Sequence, residues 1–217
     1  MYHVKFETIV IAGVNYTIRS LQDRQQFYDP DGAAEDMGIS SATWALFGNV
    51  WPSGLILADI MSTYNVDGLN ILEVGCGLGI ASLIVNERGA QHTASDYHPL
   101  AGKFLSENSR LNHLPPLHFE RCDWAGSLPA MGLFDLIIGS DLLYEPDHPG
   151  LLSNFIDLHA SPMVKVIIID PGRRQQSTFT KKMEHLGFAS SFDRPTVEQA
   201  QSRVFKGKIL QYSRGHR

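Results

Sequence analysis

Asn70-Ile71-Leu72-Glu73-Val74-Gly75-Cys76-Gly77-Leu78-Gly79-Ile80 is the stretch on which the fold turns. A short apolar strand runs into three glycines at alternate positions, and an apolar helix follows until Gly89 stops it. Ligands of open α/β sheets bind at the carboxyl ends of strands, near the point where strand order reverses. Glycine there permits tight turning and close approach of backbone to a ligand. A dinucleotide fingerprint would read G-x-G-x-x-G/A and place its third small residue at position 80, which is Ile. The spacing here is G-x-G-x-G with an acid, Glu73, just before it. That argues against a nicotinamide-dinucleotide oxidoreductase and leaves a different ligand, or a turn cluster with no ligand.

Outward from this loop the pattern alternates. Strands are expected at 92–95, 117–121, 134–138 and 164–169, with helices at 100–111, 151–158 and 178–186 between or after them. The runs at 134–138 and 164–169 are almost wholly apolar, as central parallel strands should be. Strands at 189–193 and 203–212 have no convincing helix between them and read as an antiparallel pair. Upstream, 3–20 reads as a β-hairpin about a turn at 12–15, and 22–42 as a polar loop carrying Asp29-Pro30-Asp31-Gly32. Apolar residues from Leu55 to Tyr64 then recur at helical spacing. The expectation is an α/β fold: a doubly wound, mostly parallel seven-stranded sheet with an antiparallel C-terminal strand pair and an N-terminal hairpin extension. Residues 1–43 form the extension and 44–217 the main domain of one compact unit.

Composition narrows the function classes. The 217 residues carry 18 Lys and Arg against 23 Asp and Glu, a formal charge of −5, and 43% are hydrophobic. No basic run tracks a nucleic-acid backbone, so no nucleic-acid partner is expected. No apolar segment approaches the ~20 residues that span a bilayer, and the N-terminus is unlike a signal peptide. A cytoplasmic monomer is expected. Cys76 and Cys122 form no CxxC pair and the nine histidines show no metal spacing, so the thiols read as free and buried and no metal is expected.

Several polar residues fall at strand ends. Asp96 follows the strand at 92–95, where a carboxylate can accept both hydroxyls of a ribose or cap the turn before Pro99. Asp123-Trp124 follows the strand at 117–121, offering an acceptor for an adenine amino group and an indole face to stack on it. Gly139-Ser140-Asp141-Leu142-Leu143-Tyr144 closes the strand at 134–138, and Gly48-Asn49-Val50-Trp51-Pro52-Ser53-Gly54 precedes the sheet. Arg173 and Arg174 follow the strand at 164–169 and read as solvated loop arginines, with contact to an acidic substrate face as the alternative.

Taken in order, the glycine loop, Asp96 and Asp123-Trp124 resemble the class I, seven-β-strand S-adenosylmethionine-dependent methyltransferases. The Trp51-Pro52-Ser53-Gly54 segment and the Asp141-x-x-Tyr144 motif are similar to methyltransferase family 16, whose members include lysine methyltransferases. The likeness covers roughly residues 44 to 190. It implies S-adenosylmethionine as cofactor and S-adenosylhomocysteine as product. Trp51 would pack on the cofactor; Glu73, Gly75 and Gly77 would line its methionine part; Asp96 would hold the ribose. Asp123 and Trp124 would meet the adenine, with Ser140 also on the cofactor side. Asp141 and Tyr144 would be the catalytic pair facing the acceptor. The implied reaction is methyl transfer to nitrogen, on a protein lysine or, as the alternative, on a small-molecule amine such as a nicotinamide-like pyridine. Ile169-Asp170-Pro171-Gly172-Arg173 departs from the animal lysine methyltransferases and puts the acceptor in question, not the reaction class.

Overall fold

A computed structural model describes residues 1–126, 131–196 and 205–215. Strands β1 (Val4–Ile11) and β2 (Val14–Leu21) pair antiparallel from Val4↔Leu21 to Ile11↔Val14. Ala12 and Gly13 turn the hairpin with φ of 49° and 81°, the positive values that a two-residue turn of matching twist requires. A 3-10 turn (Trp44–Gly48) and helix α1 (Pro52–Thr63) lead into the sheet. Its elements are β3 (Asn70–Val74), α2 (Ile80–Glu87), β4 (Gln91–Asp96), α3 (Ala101–Leu111), β5 (His118–Arg121) and β6 (Phe134–Ser140). Then come α4 (His148–His159), β7 (Ala160–Asp170), α5 (Gln176–His185), β8 (Ala189–Asp193) and β9 (Lys208–Arg214).

The sheet order is β5-β4-β3-β6-β7-β9-β8, with β9 antiparallel to both neighbours and the other pairs parallel. The chain builds outward from β3 to β5, then returns to place β6 on the other side of β3. The switch point therefore lies at the carboxyl ends of β3 and β6, directly above the glycine loop. Side chains alternate across the sheet with period two. Ile71, Leu136, Ile138, Ile167 and Ile169 face the layer of α1, α2 and α3, whereas Leu72, Val74, Ile137, Val166 and Ile168 face α4 and α5. The central strands are buried on both faces, which explains their unbroken apolar runs.

The hairpin is fastened to α3 by side-chain amides. Asn108 Oδ1 accepts from Arg19 N at 2.8 Å and Asn112 Oδ1 from Thr17 N at 2.8 Å, and each amide nitrogen donates back to the same residue's carbonyl. Among the boundaries that differ from expectation, three have a visible cause. Helix α4 starts at His148, three residues early, because Pro149 sits in the first turn where a missing N–H costs little. Strand β7 starts at Ala160, where the Ser161 hydroxyl donates to Met163 O at 2.6 Å and lies 3.0 Å from Asp135 Oδ1, beside a register shift in β6. Strand β9 starts at Lys208, five residues late. A Cβ at Gly207 would lie 2.2 Å from the Asp170 carbonyl oxygen, so the chain threads past β7 before it can pair. The expected strand residues 203 and 204 and the linker 197–201 lie outside the described residues. Among the described residues no helix is long and apolar enough to cross a membrane.

Candidate active site

The carboxyl ends of β3, β4, β5, β6 and β7 open onto a cavity of ≈ 710 Å³, and all ten residues singled out from the sequence line it. Gly75, Gly77 and Gly79 have φ of 60°, 55° and 69°. At Gly77 no side chain is tolerable, since its Cβ would sit 2.8 Å from the Phe47 carbonyl oxygen. Gly77 N donates to Asp96 Oδ2 and His98 N to Asp96 Oδ1, each at 2.8 Å. One carboxylate thus fixes both the glycine loop and its own turn. Burial pushes its carboxyl up, and the His98 and Gly77 N–H groups pull it back. Each oxygen keeps a lone pair for a second donor, which suits a vicinal diol.

Around this anchor one half of the cavity is closed by buried polar and aromatic groups. Glu73, 4% exposed, accepts the Ser82 hydroxyl, and burial pushes its carboxyl up to about 7. His98 stacks on Phe47 with centroids 3.8 Å apart, and its Nδ1 accepts Leu100 N at 3.2 Å. Its proton therefore sits on Nε2, which is buried without a partner, and desolvation lowers the imidazole to about 4. Asp123 Oδ1 accepts Ala125 N at 2.8 Å. Trp124 stands edge-on to His148 at 5.4 Å, with Cζ2 3.9 Å from the Gly75 Cβ position. Trp51 spends its indole N–H on Leu46 O at 2.8 Å, so it offers a ring face and no free donor. Gly38, Ile39 and Ser40 also border the cavity. The polar loop is folded down there, held by the Tyr97 hydroxyl on Met37 O and by Asp29 accepting Ala34 N and Glu35 N.

The other half is built on β6 and β7. Asp141 takes φ of 55°, unusual for a residue with a side chain, and donates its N–H to Ile169 O at 2.8 Å. Its carboxylate is bidentate to Arg173, with Nε to Oδ1 at 2.7 Å and Nη2 to Oδ2 at 3.0 Å. Arg173 is thus an exposed loop arginine, as expected, but one held in an ion pair that the sequence did not indicate. Asp170, fully buried, accepts Gly172 N and Arg173 N on Oδ1 at 2.8 Å each and so sets the arginine's backbone. The motif Ile169-Asp170-Pro171-Gly172-Arg173, at the carboxyl end of a strand beside β6, was the available signal for it. Tyr144 is 44% exposed and meets His148 edge to face at 4.5 Å. Burial and then the carboxylates of Asp96, Glu145 and Asp141 push its hydroxyl up to about 12. His98 carried no sequence signal, because a lone histidine after Tyr97 has no motif.

A diol-ready carboxylate, a glycine loop whose backbone must stay bare and two indole rings around one cavity fit an adenosyl compound. They define a nucleoside-binding α/β enzyme of the class I methyltransferase type. The family model described as lysine methyltransferase matches residues 34–186, and the chain belongs to that family. It is an S-adenosylmethionine-dependent lysine methyltransferase, which sets aside the pyridine alternative. Protein N-lysine methyltransferase METTL21A of Xenopus tropicalis is 28% identical over 179 residues, covering 76% of this chain and 82% of the relative. Protein-lysine methyltransferase METTL21E of Bos taurus is 28% identical over 169 residues, 71% of this chain and 58% of the relative. Among solved structures, magnesium protoporphyrin IX methyltransferase of Synechocystis with bound SAM has a TM-score of 0.58 at 20% identity. It covers 74% of this chain and 76% of that one, and shows the shared fold.

Proposed function

We propose that the cavity holds its methyl donor along β3, β4 and β5 and admits a protein lysine between Asp141 and Tyr144. The donor supplies a methyl group already activated on a sulfonium. On that side Asp96 accepts the two ribose hydroxyls, Glu73 with the backbone of Gly75 and Gly77 lines the methionine part, and Asp123 accepts from the adenine amino group. Trp51 and Trp124 provide ring faces, and Ser140 borders the methionine end. The six lining carboxylates Glu73, Asp96, Asp123, Asp141, Glu145 and Asp147 favour a cationic donor and a cationic acceptor alike.

A lysine ammonium is no nucleophile. Freeing its lone pair at pH 7 costs about 4–5 kcal/mol from an ordinary pKa near ~10.4, and desolvation in the channel lowers that cost. Asp141 then orients the amine and Tyr144 lines its path. As the N–C bond forms, the C–S bond breaks, its electron pair goes to sulfur, and the amine proton leaves to water. Positioning of this type supplies several kcal/mol.

The observation that carries the reading is the placing of the glycine loop, Asp96 and the Asp141–Tyr144 pair on one cavity. The reading includes a monomer acting in the cytoplasm on protein, not nucleic acid, with the −5 charge favouring basic target segments. Incubation with labelled donor and cell lysate tests it. Label on a protein band, mapped to lysine by mass spectrometry, supports it; label confined to small molecules overturns it.

A further inference from the structure

Arg173 is the one Lys or Arg among the described residues lining this acidic cavity, and it lies on the residue assigned to the acceptor. Its placement is not incidental. Asp170, buried at the end of β7, fixes the backbone of Gly172 and Arg173 through two N–H bonds, so the guanidinium is presented to Asp141 as a planar fork. Asp141 is only 12% exposed on its side chain, and both its oxygens are engaged.

A bare carboxylate at the acceptor position would act as an ammonium trap. An opposite charge within reach raises an amine's ionisation by about one to three units, which works against the neutral form that attacks. A carboxylate already paired to a guanidinium has little net charge, yet its oxygens keep lone pairs that can accept an amine N–H. We propose that Arg173 is a positioning residue that cancels the charge of Asp141, so that the pair orients a neutral amine at the transferable methyl in place of holding an ammonium. This rests on the donor and acceptor assignment above. The other titratable groups around the pair are Asp170 from β7 and the neutral Tyr144 hydroxyl on the loop after β6, with Glu145 and, across the cavity, Asp96 acting on that tyrosine. All four are acids, so the cancelling charge comes from Arg173.

Sinefungin tests this without a known protein substrate, because its amine nitrogen takes the place of the transferable methyl. S-adenosylhomocysteine lacks that group. Calorimetric titration of both ligands gives a selectivity ratio that reads charge at this one position. Arg173→Met is expected to raise the preference for sinefungin about tenfold or more at pH 7, in line with an unmasked carboxylate. Arg173→Lys, which keeps the charge, is expected to restore most of the wild-type ratio. Asp141→Asn is expected to shift the ratio the other way, since the guanidinium then faces the ligand amine alone. A ratio unmoved by both Arg173→Met and Asp141→Asn, or moved in the same direction by both, overturns the inference. Equal loss of both ligands in Arg173→Met marks a merely structural arginine and also overturns it. If neither ligand binds the wild-type protein, the donor site itself is misassigned and the inference falls with it.

Discussion

Gly77 and Asp96, 19 residues apart, are joined by a backbone N–H, whereas Asp141 and Arg173, 32 residues apart, are joined by side chains alone. On the assignment proposed above, the first pair anchors the donor half of the cavity and the second the acceptor half. In the donor half the geometry is set by backbone. Three positive-φ glycines, one immovable carbonyl at Phe47 and an Asp that ties two loops together leave little to adjust. The acceptor half hangs on rotamers at the cavity mouth, where Arg173 is 41% exposed on its side chain and Tyr144 44% overall. A donor common to a whole class suits a rigid cradle; acceptors that differ between relatives suit replaceable side chains.

The sharpest way to break this division is Asp141→Ala. Turnover on the lysate substrate is expected to fall about 10²-fold or more, the scale of losing acceptor alignment. Full turnover would remove Asp141 from the reaction.

Next in size is Gly77→Ala. A Cβ at φ of 55° and 2.8 Å from a carbonyl oxygen is expected to cost about 2–4 kcal/mol of stability, read by denaturant unfolding. Donor affinity should fall with it, because the loop cannot keep its bond to Asp96. A neutral outcome would show that the loop yields, and the claimed contrast in rigidity would fail.

Glu73→Gln sharpens the donor half through pH. The Glu73 carboxyl stands at about 7 in the folded chain against 4.5 when unfolded. Folding then favours the protonated form, so its contribution is full below pH 4.5 and is lost as pH rises through 7. The glutamine variant, which cannot ionise, is expected to be more stable than wild type by about 3 kcal/mol at pH 8 and by less than about 0.5 kcal/mol at pH 4.5. Stabilisation at pH 4.5 instead would contradict the assignment. His98 works oppositely. With its imidazole held down to about 4, the stability it contributes above pH 6.5 is lost as pH falls through 4.

The smallest expected effect is Trp51→Phe. It deletes the bond to Leu46 O but keeps a ring, so stability should drop by about 1 kcal/mol and S-adenosylhomocysteine affinity by less than about threefold. A large loss of affinity would mean that the indole N–H matters to the ligand after all.

The same contrast governs what could be read in advance. Strand β3, helix α2 and the gathering of Glu73, Gly75, Gly77 and Asp96 at the carboxyl edge of the sheet were legible because a local pattern encodes each of them: apolar run, glycine spacing, acid at a strand end. The seven-stranded sheet followed from alternation of strands and helices. The pairing of Arg173 was not legible because its partner lies 32 residues away and only the β6–β7 pairing brings them together. His98 was missed because its role depends on stacking against Phe47 and on a tautomer set by Leu100 N, neither of which leaves a local trace. The folded position of residues 38–40 against the cavity depends likewise on a tyrosine bond made across 60 residues.

Calorimetric titration of S-adenosylhomocysteine into Asp96→Ala and Asp141→Ala tests the division of the cavity most directly. Loss of about 10²-fold in affinity is expected for Asp96→Ala, the scale of two hydrogen bonds to a charged group, and less than about threefold for Asp141→Ala. Equal weakening in both, or undiminished binding to Asp96→Ala, would contradict the account.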